Sequence, residues 1–109
     1  MRETLFIICL LFSGAAAAAT ESSSQSKINK LYSYSEYGGG DVIVKLSGNG
    51  PSCLAGYWLK KTDPGFQANL SILLAAYHAN KDIVVTGHTD QIWSGSSGKY
   101  CHVYSVSYR

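Results

Sequence analysis

The chain has 109 residues, 46% of them hydrophobic and 15% charged, with three cysteines and a formal net charge of +2. That length holds one small domain with a modest core. The lysines (Lys27, Lys30, Lys45, Lys60, Lys61, Lys81, Lys99) are scattered, which excludes the clustered basic footprint of a nucleic-acid binder.

Residues 1–19 have the three parts of a secretory signal: a basic start at Arg2, an apolar run from Leu5 to Phe12, and alanines up to Ala19. The run is too short for a membrane span, which needs about 20 residues. Cleavage near Ala19 or Thr20 leaves about 90 residues, still one domain. Residues 20–26 are serine-rich, have nothing apolar to bury, and read as a disordered polar tail ahead of a single domain over residues 27–109.

Residues 28–37 alternate Leu31, Tyr32, Tyr34 and Tyr37 with serines, a strand pattern. Gly38, Gly39, Gly40 and Asp41 supply turn chemistry, and Val42 to Leu46 reads as the returning strand of a hairpin. Ser47 to Ser52 is a loop, and Gly56 to Lys60 a short third strand. Asp63 and Pro64 form a helix-start signal, and Phe66, Leu70, Leu73, Leu74 and Tyr77 place an apolar stripe on a helix ending near Asn80. Residues 82–89 read as a fourth strand, residues 90–98 as a loop, and residues 100–108 as a fifth strand. Strict alternation in that last strand sets Tyr100, His102, Tyr104, Val106 and Tyr108 on one face and Cys101 and Val103 on the other.

With Cys9 inside the signal, Cys53 and Cys101 are the cysteines left, and export makes a disulfide between them the expectation. Two free thiols or an intermolecular bridge are the alternatives. Closing that loop is worth roughly 4 kcal/mol in the chain-entropy treatment.

Strand, strand, strand, helix, strand, strand is the order of a five-stranded OB-type barrel with the helix between strands 3 and 4. A generic α+β sheet with one covering helix fits the same string.

The histidines are His78, His88 and His102. Serines are plentiful, but no nucleophile elbow accompanies them, so no catalytic residue is assigned. A small hydrolase would need His88 or His102 beside a reactive serine. His88, His102 and Asp90 lack a metal-ligand signature, so neither a metal nor a cofactor is expected. Trp93 stands out, because it sits in a loop of small polar residues. It is either folded back to cap one end of the barrel or left available to a partner. Sugars are gripped by an aromatic face with polar groups beside it, and Asp90, Gln91, Ser94 and Ser96 surround Trp93. The loop joins the fourth and fifth strands, one of the places where OB folds bind ligands. Trp93, Asp90, Gln91, Ser94 and Ser96 are therefore the candidate ligand-binding residues.

Lys30 to Tyr37, the glycine turn and Val42 to Leu46 together resemble the opening hairpin of bacterial enterotoxin B subunits of the cholera and Shiga types. Asn69 to Ala76 followed by Ile83 to Thr86 is similar to their helix and next strand, and Tyr104 to Arg109 to their last strand. The resemblance lies in element order and texture. It implies an exported, non-catalytic OB-fold protein with one disulfide that forms a homo-pentamer, binds a cell-surface glycan or protein receptor, and has a companion subunit. The chain departs from those proteins in the place of Cys53, between the second and third strands, and in the Tyr57 to Gly65 stretch. Their glycan contacts have no matching residues here. The competing expectation is a stand-alone secreted or periplasmic interaction or inhibitor protein.

Overall fold

The computed structural model describes residues 19–109; apart from Ala19, the secretory signal expected over residues 1–19 lies outside the described residues. The fold is mainly β with one helix. Its elements are β1 (Thr20–Ser22), β2 (Ile28–Ser33), a 3-10 turn (Tyr37–Gly39), β3 (Val42–Leu46), β4 (Gly56–Leu59), α1 (Phe66–Ala79), β5 (Ile83–Ile92) and β6 (Tyr100–Tyr108). They build a six-stranded sheet in the order β1-β5-β6-β4-β3-β2, which is not closed. Every pairing is antiparallel except that of β4 with β6. The helix supplies the crossover that a parallel pair requires.

The inner face of the sheet carries Val42, Val44, Leu46, Tyr57, Leu59, Val85 and Val103, packed with Phe66, Leu73 and Ala76 of α1. This is the amphipathic solution expected of alternating strands and a striped helix. The disulfide between Cys53 and Cys101 lies fully buried in this layer. It ties the loop before β4 to β6, as expected from the cysteines.

Several sequence expectations are corrected. Residues 20–26 are not a disordered tail. Thr20–Ser22 forms an edge strand on β5, and Ser26 bridges Ile83. Ser23 is buried: its backbone N–H donates to Val85 O, and its hydroxyl accepts from Val85 N–H at 3.0 Å. Hydrogen bonding along the edge of β5, and not apolar burial, orders this segment. The first predicted strand ends at Ser33, because the chain turns at Tyr34, whose N–H donates to Asp41 O. The helix starts at Phe66 without a side-chain cap, since the Asp63 carboxylate is drawn to His102 instead. Its other end is as expected, with Asn80 as the left-handed C-cap. Finally, Gly87 faces Val103 while Thr86 faces Ser105, so Tyr104 is an extra, bulged residue. The bulge reverses the alternation, and Val106 joins Cys101 and Val103 on the inner face.

Candidate functional site

The sheet is also covered on part of its outer face. Ile43, Trp93 and Tyr100 form a second buried cluster there, with Tyr32, Ala55 and Trp58 packed against it. Two connections roof this layer: residues 34–41, between β2 and β3, and residues 93–99, between β5 and β6.

Trp93 is folded back onto the sheet and is not left available to a partner. It is only 4% exposed. Its Nε1–H donates to Asp41 Oδ2 at 2.8 Å, and its ring packs edge-on against Tyr37 and Tyr100 and obliquely against Tyr34. Trp93 therefore has no free face to offer a sugar. A Cβ added at Gly95 would stand 2.3 Å from the Trp93 ring, so the loop's own backbone closes over it. On the other side, a Cβ at Gly38 would stand 2.1 Å from Asp41 Oδ2. Glycine in both connections lets the two backbones press onto one buried Asp41–Trp93 pair. Gly38, Gly39 and Gly40 all have positive φ, a conformation that suits glycine.

The other loop candidates separate. β5 runs on to Ile92, so Asp90 and Gln91 are exposed strand residues and not loop residues. Gln91 is turned away from Trp93: its backbone O accepts from Trp58 Nε1–H, and its side-chain Oε1 meets His102 Nδ1 at 2.7 Å. Ser96 is exposed and accepts from Gly98 N–H. Ser94 alone stays at the junction of the two connections, its Oγ 2.9 Å from Tyr37 Oη. The rings left accessible over Trp93 are Tyr34, 39% exposed, and Tyr37, 43% exposed. Tyr32 and Tyr34 have the spacing of a strand face and Tyr37 follows three residues on, so composition alone did not separate these rings from core tyrosines.

A second group lies on the outer face of β4, β6 and β5. Trp58, His102 and His88 are in register across the three strands, and their rings stack at 4.6 and 5.6 Å. His102 Nε2 donates to Asp63 Oδ2 at 2.5 Å. With Nδ1 engaged by Gln91, neither ring nitrogen of His102 is free to take a proton from a serine hydroxyl. Among the described residues, no group of three or more His, Cys, Asp or Glu is arranged to hold a metal ion, and no helix is long and apolar enough to cross a membrane.

Tyr32 joins the aromatic layer, and its hydroxyl is pushed well above the usual tyrosine range by burial and by the neighbouring Tyr100 and Tyr34 hydroxyls. Lys45 Nζ lies 5.6 Å from the centre of the Tyr100 ring, a cation–π distance.

The chain matches no protein-family model, no curated protein and no solved structure.

Proposed function

We propose that this chain is a secreted or periplasmic, non-catalytic binding module that takes a cell-surface glycan at the junction of its two connections. The observation that carries this reading is the pair of half-exposed rings, Tyr34 and Tyr37, held over a buried Trp93 with the Ser94 hydroxyl at hand. Aromatic rings offer a flat apolar surface with polar tips, which suits the C–H face and the hydroxyls of a sugar. The site moves from Trp93 to the residues that Trp93 supports. Exported context is supported by the disulfide, a bond rare in reducing compartments.

The underlying fold in this reading is the OB-type barrel. Counted from β2, the strands lie in the order first, second, third, fifth, fourth, a Greek-key order suited to a partly open barrel. The two edges of the sheet belong to one segment: residues 20–33 pair with β5 at Thr20–Ser22 and Ser26, then with β3 at Ile28–Ser33. A bent first strand of this kind would close a five-stranded barrel. The two connections at the site then correspond to the loops that OB folds use for oligosaccharides.

The test is an oligosaccharide array probed with the oxidised, exported protein and with Tyr37→Ala. Binding by the parent and its loss in the variant, at an unchanged unfolding midpoint, is the expected result. A parent that binds no oligosaccharide sinks the reading.

A second reading, a protein-interaction partner, is favoured by one observation. An apolar groove of about 350 Å³ runs between α1 and the edge strand β2, lined by Leu31, Val42, Leu70, Leu74 and Tyr77. A homo-pentamer of the toxin B-subunit kind, with or without a companion subunit, would use such a surface. Native mass spectrometry distinguishes a ring from a monomer.

A further inference from the structure

Asp41 is the hub of the site. Its backbone N–H donates to Tyr37 O, its backbone O accepts from Tyr34 N–H, and its side-chain Oδ2 accepts from Trp93 Nε1–H. Both accessible rings and the buried indole beneath them thus hang on one residue. Asp41 is only 3% exposed, and its second carboxylate oxygen, Oδ1, is buried with no hydrogen-bond partner among the described residues. An unpaired buried carboxylate oxygen destabilises the free protein, and such groups concentrate where a ligand or a reaction uses them. The cover over this oxygen is thin. An added Cβ at Gly38 would lie 2.7 Å from Oδ1, and one at Gly39 would meet nothing within 4 Å. The Gly38 backbone lies directly against the carboxylate, and Gly39 beside it faces open space.

We infer that Asp41 Oδ1 is the acceptor for a hydroxyl of the bound glycan, reached when the Gly38 to Gly40 turn shifts aside, and that Asp41 thereby sets which sugar hydroxyl the site selects. This inference rests on the glycan reading of the site. A ligand lacking that hydroxyl leaves the carboxylate oxygen unpaired, which is how buried acceptors discriminate between close analogues. Coupling to the platform follows directly, because the carboxylate that would receive the hydroxyl also receives the Trp93 N–H.

The experiment takes the strongest oligosaccharide from the array and titrates it into the exported, oxidised protein. Asp41→Asn is the variant: its amide oxygen can still accept from Trp93, while its NH2 replaces the free acceptor with a donor. The expected result is a loss of affinity of at least tenfold, with the indole N–H resonance of Trp93 moving on saturation of the parent and that of Trp58 staying in place. Equal affinity in the variant, or a Trp93 resonance that does not move while the Tyr34 and Tyr37 ring signals do, overturns the inference and leaves the site standing. If the variant does not fold, the resonances of the parent decide. A parent that binds no oligosaccharide overturns both the site and this inference.

Discussion

The two faces of the sheet are built from different materials. The inner face is aliphatic, backed by α1 and closed by the Cys53–Cys101 bond. The outer face is aromatic, backed by two connections, and its rings carry polar atoms that bond to non-aromatic groups beside them: Trp93 to Asp41, Trp58 to Gln91, Tyr37 to Ser94. Aliphatic packing holds through contact area and tolerates small shifts. A layer of rings with polar tips holds through a few directed bonds and stays half wet. The first arrangement suits a scaffold, the second a recognition surface that must be fixed and still reachable.

Removing the disulfide gives the largest separation between the two faces. Cys53→Ser with Cys101→Ser is expected to lower stability by about 4 kcal/mol in the chain-entropy treatment, read as a shift of the urea midpoint. The Trp93 environment should survive in whatever fraction remains folded. If near-ultraviolet circular dichroism shows that the aromatic layer is lost in that folded fraction, the two faces are not separable.

Gly95→Ala attacks the outer face alone. The new methyl would fall on the Trp93 ring, and overpacking of this kind costs about 1–3 kcal/mol. Tryptophan fluorescence should change while the disulfide and the α1 signal stay native. An unchanged emission spectrum would mean that Trp93 is not clamped as described.

Alkaline pH strikes both faces. Tyr57, on the inner face, is raised above the usual tyrosine range by burial, offset in part by the hydrogen bond from Gly50 N–H. Tyr32, on the outer face, is raised by burial and by its tyrosine neighbours. Because both folded values lie above the unfolded one, the stability they contribute is complete below the ordinary tyrosine value, near pH 10. It is lost as pH rises towards the folded values, at about 1.4 kcal/mol per pH unit for each group. Urea midpoints measured from pH 8 to 11 should stay flat and then fall. Tyr57→Phe should flatten part of the fall, though it also removes the acceptor for Gly50.

The smallest effect is expected from Asp63→Asn, which weakens the bond to His102 at a partly exposed position. The change should be about 1 kcal/mol or less, and the proposed sugar binding should not respond. A loss of glycan affinity in this variant would extend the site along the Trp58–His102–His88 row.

Much of the inner face was legible in the sequence. β-branched alternation in Val42 to Leu46, the stripe of Phe66, Leu70 and Leu73, and the paired cysteines each report a local period or a small count, and each reappears in the core. The outer face was not legible in the same way. Tyr32, Tyr34 and Tyr37 fall in one aromatic run but only Tyr32 lies in a strand, because the chain leaves the sheet at the turn where Tyr34 N–H donates to Asp41 O. Gln91 looked like a neighbour of Trp93 and is instead a partner of His102, because β5 runs three residues further than its composition suggests.

The sequence by itself determined the kinds and order of the elements from β2 to β6, the helix among them, the place of the glycine turn and the cysteine pair, since these follow from spacing and side-chain type along a short window of chain. Only the tertiary structure decided that the serine-rich segment becomes an edge strand, that a bulge at Tyr104 reverses one face of β6, and that Trp93 turns inward onto a buried Asp41. Those outcomes rest on hydrogen bonds between residues far apart in the chain, 62 positions for Ser23 with Val85 and 52 for Asp41 with Trp93, and no local pattern encodes which distant donor will meet which acceptor.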